Sequence, residues 1–192
     1  MGSMITVSGV AGAGKDTIVE TAMPFLRSFG IEWAPSITTR DPRPGDRQGV
    51  MIHVSHEGFL TMVADGDMME YAMVAGDSYG TPVDALDAGP NGAIKIVTVD
   101  GVLAIRDWMI DHGGMDLLPI YVTVPMGDAH ERLHERGWSD ERIAERDSFN
   151  LSGYGHESLD LSVIPWAIIS NPNGGLDAAV AMLVRRVREF LR

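Results

Sequence analysis

The sequence predicts an α/β fold in which a parallel β-sheet is covered by helices on both faces. Short apolar runs alternate along the chain with segments of helical periodicity, and these runs are apolar throughout. Strands of that composition are typical of a parallel sheet buried on both faces. The chain has 192 residues, 45% of them hydrophobic, which is enough for a substantial core and consistent with one domain.

The first predicted strand and helix surround a glycine-rich loop. Residues 4–9 form an apolar run rich in β-branched side chains, and residues 15–29 follow with helical periodicity. The later predicted strands are 93–100, 117–124 and 166–170. Three later helices are predicted. The first follows the strand 93–100 and ends at about His112, the second begins near Gly127, and the third extends from about Gly175 to Arg192.

The segment 36–90 breaks this alternation. It contains short alternating strands and clusters of glycine and proline, which predict a subregion inserted into one domain of residues 4–192. Residues 4–35 and 91–192 are expected to form the core of that domain. Residues 1–3 precede a second methionine and are interpreted as a cloning scar.

Composition and charge exclude several classes of protein. The chain has no cysteine, which excludes disulfides and thiolate metal sites. Its formal net charge of −12 argues against a nucleic-acid partner, because such proteins usually carry a basic face. No apolar run approaches the roughly 18 residues that span a bilayer. We therefore expect a cytoplasmic protein without a membrane partner.

The sequence GVAGAGKDT at residues 9–17 predicts a phosphate-binding loop. Gly9, Gly12 and Gly14 allow the backbone to curl so that its N–H groups face an anion at the start of a helix. Lys15 adds a positive charge. The pattern indicates a sheet of the P-loop NTPase type, and a glycine-rich turn without a ligand is the alternative interpretation.

Asp16 stands where such loops usually carry serine or threonine. A carboxylate beside a triphosphate is repulsive unless a cation lies between them, so one interpretation is that Asp16 holds Mg²⁺ directly or through water. The other is that Asp16 complements the positive end of the helix dipole, which stabilises by about 0.3–1 kcal/mol. The Thr17 hydroxyl is a further candidate ligand for the metal or for a phosphate.

Two arginines, Arg40 and Arg43, lie in the segment SITTRDPRPGD at residues 36–46. Its prolines and glycine favour a turn that could bring both guanidinium groups onto one phosphate. Taken alone, the segment fits solvated arginines on a surface loop better.

Four segments, in this order and spacing, resemble guanylate kinases: GVAGAGKDT, SITTRDPRPGDRQG, MMEYAMVAGDSYGTP and RLHERG. The resemblance covers residues 4 to about 173. It implies a nucleoside monophosphate (NMP) kinase with ATP as co-substrate and Mg²⁺ as cofactor. It also implies that residues 36–90 form an NMP-binding subregion and that residues 136–152 form a short lid.

The resemblance assigns the residues of the acceptor. The positions that hold the phosphate of GMP match Arg40, Arg43 and Tyr79. The positions that read its guanine match Ser36, Glu70, Thr81 and Asp100. A carboxylate at Glu70 suits guanine, because it accepts from N1–H and the exocyclic amine, and adenine lacks this donor pair. A charge at the end of a strand is the alternative interpretation of Glu70.

The resemblance also assigns the residues of the donor. The positions that bind ATP match Gly9, Gly12, Ala13, Gly14, Lys15, Asp16, Thr17, Arg132 and Asn171. The expected catalytic residues, which stabilise charge during phosphoryl transfer, are Lys15, Arg40, Arg136 and Arg146. Asn171 lies in a Ser-Asn-Pro turn, where an asparagine is also expected without any ligand.

The sequence departs from the family at three points. The family's tyrosine after the GDRQG segment is absent, and only Met51, Ile52 or His53 stands near its place. Thr98 replaces the family's first aspartate in the strand before the third helix, which leaves Asp100 alone there. The Lys-Asp-Thr loop is more like that of ribose bisphosphate phosphokinases and some phage deoxynucleoside monophosphate kinases.

A competing motif lies at residues 130–140, where HERLHERGWSD fits the zinc-binding pattern of metalloproteases. His130 and His134 would share one helical face, and Glu131 would be the general base. However, charged residues surround most of this helix, whereas the corresponding helix of such enzymes is largely buried. A half-exposed helix that leads into the lid is the alternative interpretation.

The sequence therefore predicts a kinase that transfers the γ-phosphoryl group of ATP to GMP or dGMP with Mg²⁺. We expect small nucleotides as its partners, and a homodimer remains open. A kinase of another acceptor, either another deoxynucleoside monophosphate or a ribose bisphosphate, and a zinc metalloprotease are the alternative functions.

Overall fold

The computed structural model describes residues 2–74, 76–114, 116–149 and 164–192. Its strands are β1 Ser3–Ser8, β2 Ile31–Trp33, β3 Ser36–Thr38, β4 Met51–His53, β5 Met68–Val74, β6 Asp77–Pro82, β7 Gly92–Ile96, β8 Leu117–Thr123 and β9 Ala167–Ser170. Its helices are α1 Lys15–Ser28, α2 His56–Ala64, α3 Val99–Asp111, α4 Met126–Glu135, α5 Asp140–Phe149 and α6 Leu176–Phe190, with a 3-10 helix at Val83–Asp87. The predicted α/β class is confirmed.

Two sheets organise these elements. The larger is a parallel sheet of five strands in the order β2-β7-β1-β8-β9. The smaller has four strands in the order β4-β3-β6-β5. In the smaller sheet β3 and β4 are parallel, while β6 is antiparallel to both of its neighbours.

Contacts between residues divide the chain into two compact units. The first unit contains residues 1–5 and 27–117, and the second contains residues 6–26 and 118–192. The first unit therefore holds the smaller sheet with β2, β7, α2 and α3. The second unit holds most of α1 and β8, together with β9 and the helices from α4 to α6.

The first unit has two apolar clusters. The main cluster buries Met4, Ala34, Met69, Ala85, Leu86, Ala93, Ile105 and Met109. A smaller cluster of Ile37, Phe59 and Met68 joins α2 to the smaller sheet. These contacts explain why residues 56–64 form a helix although the sequence analysis assigned only strands and loops there.

Helices α1 and α6 each bury one face. The buried residues of α1 are Ile18, Val19, Ala22, Met23 and Leu26. Those of α6 are Ala179, Val180, Leu183 and Val187, at the helical spacing that predicted this helix. The ring of Tyr121 in β8 packs edge-to-face against Trp166, with 5.9 Å between centroids.

One predicted strand is shorter in the structure than in the sequence analysis. The predicted strand covers 93–100, but β7 ends at Ile96 and α3 begins at Val99. The cause is a helix cap, because the Thr98 hydroxyl accepts a hydrogen bond from the Gly101 N–H. Asp100 is therefore in the first turn of α3 and not at the end of a strand.

Two other predictions concern the limits of the domain. Ser3, which lies in the predicted cloning scar, begins β1. The predicted lid at 136–152 includes residues 150–152, which lie outside the described residues. The boundaries of the core, the inserted subregion and the lid stay predictions.

Candidate functional site

The glycine loop connects β1 to α1, and its backbone shape requires glycine. Gly12 and Gly14 have φ of 78° and 83°, a left-handed conformation that other residues rarely adopt. A Cβ atom on Gly12 would lie 2.6 Å from the carbonyl oxygen of Ala129 in α4. The loop therefore curls closely against α4 at a position that a larger residue could not occupy.

The side chain of Lys15, at the start of α1, turns back over this loop. Its ammonium group donates to the carbonyl oxygens of Gly9 at 2.8 Å and Val10 at 2.9 Å. Burial lowers the pKa of Lys15 to about 8, although the neighbouring Asp16 acts in the opposite direction. A poorly solvated ammonium gains stability from an added anion, so this position favours a phosphate.

Two predicted catalytic arginines lie within electrostatic range of Lys15. Arg146 in α5 and Arg136, which follows α4, both lower the pKa of Lys15 further. Three positive side chains thus share one electrostatic environment in the second unit. Such a field attracts a ligand with several negative charges.

Arg132 and Asn171 hold the glycine loop in place. The Arg132 guanidinium donates to the carbonyl oxygen of Gly12 at 3.1 Å and to that of Asn171 at 2.9 Å. The buried Asn171 side chain donates to the carbonyl oxygen of Ala13 at 2.8 Å. A Cβ on Gly14 would lie 2.6 Å from the same amide nitrogen. Both predicted ATP ligands are therefore next to the loop.

Asn173 also belongs to this arrangement, and the sequence analysis did not identify it. Its side-chain oxygen accepts from Arg132 Nε at 3.0 Å, and its amide nitrogen donates to Glu131 at 2.6 Å. Its backbone N–H donates to the Asp128 carboxylate at 2.6 Å. The Asn-Pro-Asn turn predicted a loop here, but no local signal predicted its pairing with α4.

Asp16 and Thr17 lie in the first turn of α1, and both are exposed. This position fits the helix-dipole interpretation of Asp16. It also leaves a carboxylate and a hydroxyl accessible beside Lys15, as the magnesium interpretation requires. Both interpretations therefore stay open.

In the first unit, Asp46 connects the two predicted phosphate-binding arginines. Arg40 is only 7% exposed, and its guanidinium donates to Asp46 at 2.7 Å and to the carbonyl oxygen of Asp41 at 2.7 Å. The Arg43 backbone N–H donates to the other Asp46 oxygen at 2.7 Å, while the Arg43 side chain is exposed. The hydrogen bond from Arg40 lowers the pKa of Asp46 to about 2.

His53 and Tyr79 lie beside Arg40. His53 places Nε2 3.2 Å from an Asp46 oxygen and Nδ1 2.7 Å from the Arg40 carbonyl oxygen. Tyr79 contributes to a raised pKa of Arg40, although Asp46 is the larger cause. Near the place of the missing family tyrosine, His53 is thus the residue that joins the charged network.

The predicted guanine ligand Glu70 is a buried residue within β5. Its side chain is 9% exposed, and its carboxylate accepts a hydrogen bond from the Thr81 hydroxyl. A Cβ on Gly101 would lie 3.5 Å from a Glu70 oxygen, so the carboxylate lies close to the first turn of α3. Asp100 is exposed in that same turn. An ionised carboxylate can accept several hydrogen bonds, so Glu70 retains capacity for a ligand.

Lys95 in β7 is a polar residue that the sequence analysis missed. It is 6% exposed and donates to the Ser36 hydroxyl oxygen at 2.7 Å and to the Pro35 carbonyl oxygen at 3.2 Å. Burial lowers the pKa of Lys95 to about 8, and Glu70 acts in the opposite direction. The available signal was a single lysine inside the apolar run AIKIVTV.

The histidines of the competing zinc motif make separate contacts. His130 Nε2 lies 2.8 Å from Asp147, and His134 Nε2 lies 3.2 Å from Asp140. Among the described residues, no group of three or more histidine, aspartate or glutamate side chains is arranged to hold a metal ion. Nothing in this part of the chain supports the metalloprotease alternative.

The predicted ligands divide between the two units. Those assigned to ATP all lie in the second unit, together with Arg136 and Arg146. Those assigned to GMP, including Arg40, all lie in the first unit.

Comparison with known proteins identifies one family. The guanylate kinase family model matches residues 1–152. A guanylate kinase of Desulfitobacterium hafniense is 32% identical over 151 residues, which cover 76% of this chain and 72% of the relative. That of Gluconobacter oxydans is 34% identical over 191 residues, which cover 94% of this chain and 83% of the relative.

A solved structure is similar as well. The crystal structure of guanylate kinase from Anaplasma phagocytophilum matches with a TM-score of 0.66 and covers 98% of this chain and 85% of that one. The sequence identity of 21% means that this likeness shows the fold alone.

Proposed function

Because the chain belongs to the guanylate kinase family, we propose that its second unit binds ATP and its first unit binds GMP. The protein is a nucleoside monophosphate kinase that phosphorylates GMP with ATP. The observation that carries this division is the convergence of Arg132 and Asn171 on the carbonyl groups of the glycine loop.

In the ATP-binding part, the glycine loop and Lys15 would hold the phosphates of the donor. Lys15 would exchange its contacts with the carbonyl groups of Gly9 and Val10 for phosphate oxygens, which compensate its buried charge better. Arg136 and Arg146 would stabilise the charge of the transferred phosphoryl group. Catalysis of this type depends on positioning and electrostatics and needs no obligatory general base.

Asp16 and Thr17 fit a magnesium ion, because oxygen donors are the ligands that Mg²⁺ prefers and both side chains are exposed in the first turn of α1. When bound, the metal supplies positive charge to the phosphates of ATP. Without a cation, the Asp16 carboxylate would repel those phosphates.

In the GMP-binding part, Arg40, Arg43 and Tyr79 would hold the acceptor phosphate. Arg40 has five N–H donors, and its contacts with Asp46 and Asp41 leave others for a phosphate oxygen. The exposed Arg43 side chain adds a second guanidinium from the same turn. Asp46 would orient this turn through its bonds to both arginines.

Guanine selectivity would come from Glu70, with Ser36, Thr81 and Asp100 around it. Glu70 would accept from the N1–H and the exocyclic amine of guanine. The Thr81 hydroxyl would hold the carboxylate in position. A buried acceptor left unpaired opposes adenine, which offers no N1–H.

The assigned contacts read the base and the phosphate and none involves the ribose 2′ position, so dGMP is a second acceptor. We place the enzyme in the cytoplasm, where ATP and GMP are available, and a homodimer remains open. Within the described residues, no helix combines the length and apolar character of a membrane span.

A coupled ADP-release assay tests the acceptor. The substrates are GMP, dGMP, AMP, dTMP and a ribose bisphosphate, each with ATP and Mg²⁺. We expect turnover with GMP and dGMP and little with the others. Equal rates with AMP would contradict the role of Glu70, and activity confined to the ribose bisphosphate would overturn the acceptor altogether.

A magnesium titration tests Asp16. Asp16→Ala should raise the magnesium concentration at half-maximal rate and lower turnover, with little change in thermal stability. Glu20→Gln, an exposed acidic residue of the same helix, is the matched control. An unchanged titration for Asp16→Ala would return Asp16 to the helix-dipole interpretation.

A further inference from the structure

Lys95 is a buried cation in a strand that is otherwise apolar. Its neighbours Ala93 and Ile94 in β7 are both fully buried. Its side chain reaches from β7 to the beginning of β3, which is 59 residues earlier in the chain, and donates to the Ser36 hydroxyl oxygen at 2.7 Å. Burying an ammonium group costs free energy that apolar packing does not compensate. A lysine at this position therefore indicates a role other than packing.

The bond between Lys95 and Ser36 has a defined direction. A lysine ammonium has three donors and no acceptor, so the Ser36 oxygen must accept. The hydroxyl hydrogen of Ser36 is then directed away from Lys95. The Ser36 backbone is itself held by its N–H, which donates to the Val50 carbonyl oxygen at 2.7 Å.

We propose that Lys95 is a positioning residue for base selectivity, which orients the Ser36 hydroxyl as a hydrogen-bond donor toward O6 of guanine. This inference rests on the proposed function, which assigns Ser36 to the base. Guanine presents an acceptor at C6, whereas adenine presents an amine there. An oriented donor at Ser36 therefore favours guanine and opposes adenine.

Glu70 supplies the second half of base recognition. It raises the pKa of Lys95 against the larger effect of burial, so the two side chains lie within electrostatic range of each other. A carboxylate at Glu70 accepts hydrogen bonds, and the Ser36 hydroxyl oriented by Lys95 donates one. A donor at Ser36 beside an acceptor at Glu70 is the pattern complementary to the guanine edge.

The test uses three acceptors that separate the two contacts. GMP and IMP both carry O6 and N1–H, but IMP lacks the exocyclic amine, and AMP carries an amine in place of O6. Lys95→Met should lower kcat/KM for GMP and for IMP by the same factor, on the order of tenfold for one lost hydrogen bond. The value for AMP should not fall, because adenine does not accept from Ser36.

A double-mutant cycle tests whether Lys95 acts through Ser36. Ser36→Ala should give the same loss as Lys95→Met, and the double variant should lose no more than Ser36→Ala alone. Glu70→Gln is the contrast, because it should lower the GMP value more than the IMP value. Lys95→Gln, which keeps a donor, should recover part of the GMP preference and serves if Lys95→Met does not fold.

Several results would overturn the inference. One is a parallel loss for GMP, IMP and AMP in Lys95→Met, and another is a double variant whose loss is the product of the two single losses. A changed KM for ATP in Lys95→Met would point to a general structural role. A wild-type enzyme without preference for GMP over AMP would instead overturn the proposed assignment of Ser36 and Glu70 to guanine, which separates the two failures.

Discussion

The two units each contain one of the two lysines in the chain, and these lysines are built into their units in different ways. Lys95 is buried and Lys15 is half-buried. Desolvation lowers the pKa of each to about 8, and both donate to carbonyl oxygens. Lys15 bonds to residues five and six positions earlier, whereas Lys95 bonds to residues 59 and 60 positions earlier.

This difference separates a binding loop made by local backbone from a pocket made by distant side chains. In the second unit, Gly12 and Gly14 have a backbone conformation that the sequence pattern itself indicates. In the first unit, Glu70, Thr81, Ser36 and Lys95 come from four different strands. Substitutions in the glycine loop should therefore lower turnover with every acceptor or destabilise the fold. Substitutions in the pocket should change the kinetics with GMP alone.

The largest effect is expected for Lys15→Met. Loss of a preorganised positive group at the transferred phosphoryl should lower kcat by roughly 10²–10³-fold with every acceptor. Thermal stability should fall little, because desolvation makes the charged form of Lys15 unfavourable in the folded protein and methionine carries no charge. Steady-state kinetics with GMP and AMP measure the loss, and Lys95→Met is the comparison. If Lys15→Met lowered kcat with GMP but not with AMP, Lys15 would act on one acceptor, as is predicted for Lys95, and the proposed difference between the two lysines would be wrong.

The second effect concerns the backbone of the glycine loop. Gly12→Ala combines a left-handed φ with a clash against Ala129, so we expect a loss of about 2–5 kcal/mol in the free energy of unfolding. Gly45→Ala is the matched control, since Gly45 has a φ of 94° but no atom within 4 Å of the added Cβ.

Denaturant titration of both variants measures the difference. The control should lose only about 1–2 kcal/mol, which is the conformational part alone. Equal losses in the two variants would mean that contact with α4 does not determine the shape of the loop.

The third effect is a change in KM for GMP alone. Asp46→Asn removes the charge that joins Arg40 to Arg43 and should raise KM for GMP by about tenfold, as expected for a charge-assisted hydrogen bond. KM for ATP should not change. Asp41→Asn is the control, because the Arg40 guanidinium contacts the backbone carbonyl of Asp41 and not its carboxylate. A similar change in both variants would remove the special role of Asp46.

The last prediction is a pH dependence of stability. The pKa of Lys95 is about 8 in the folded protein and 10.5 for an ordinary lysine, so the unfolded chain binds more protons between these values. The wild type should therefore gain stability over Lys95→Met as the pH rises from 8 to 10.5, with a slope of at most about 1.4 kcal/mol per pH unit. Denaturation curves of the two proteins that stay parallel over this range would contradict a depressed pKa.

Local patterns predicted much of the fold. The apolar run 117–124 corresponds to β8, and the helical stripe near the C-terminus corresponds to α6. In both elements the buried positions recur at a spacing that can be read from residues close together in the sequence. The strand at 93–100 was too long, because a single hydroxyl at Thr98 begins α3 earlier than the apolar pattern indicates. Helix α2 was missed, because its apolar face is defined by contact with the smaller sheet.

The sequence by itself determined the α/β class, the glycine loop with Lys15, and the family to which the chain belongs. These features depend on residues that are close along the chain, where spacing and backbone conformation are directly coupled. Only the tertiary structure decided that Asp46 joins Arg40 to Arg43 and that Lys95 contacts Ser36. The pairing of β2 with β7 brings Pro35 and Ser36, which follow β2, close to Lys95. Burial then strengthens the hydrogen bonds of Lys95, and a local sequence pattern does not predict either effect.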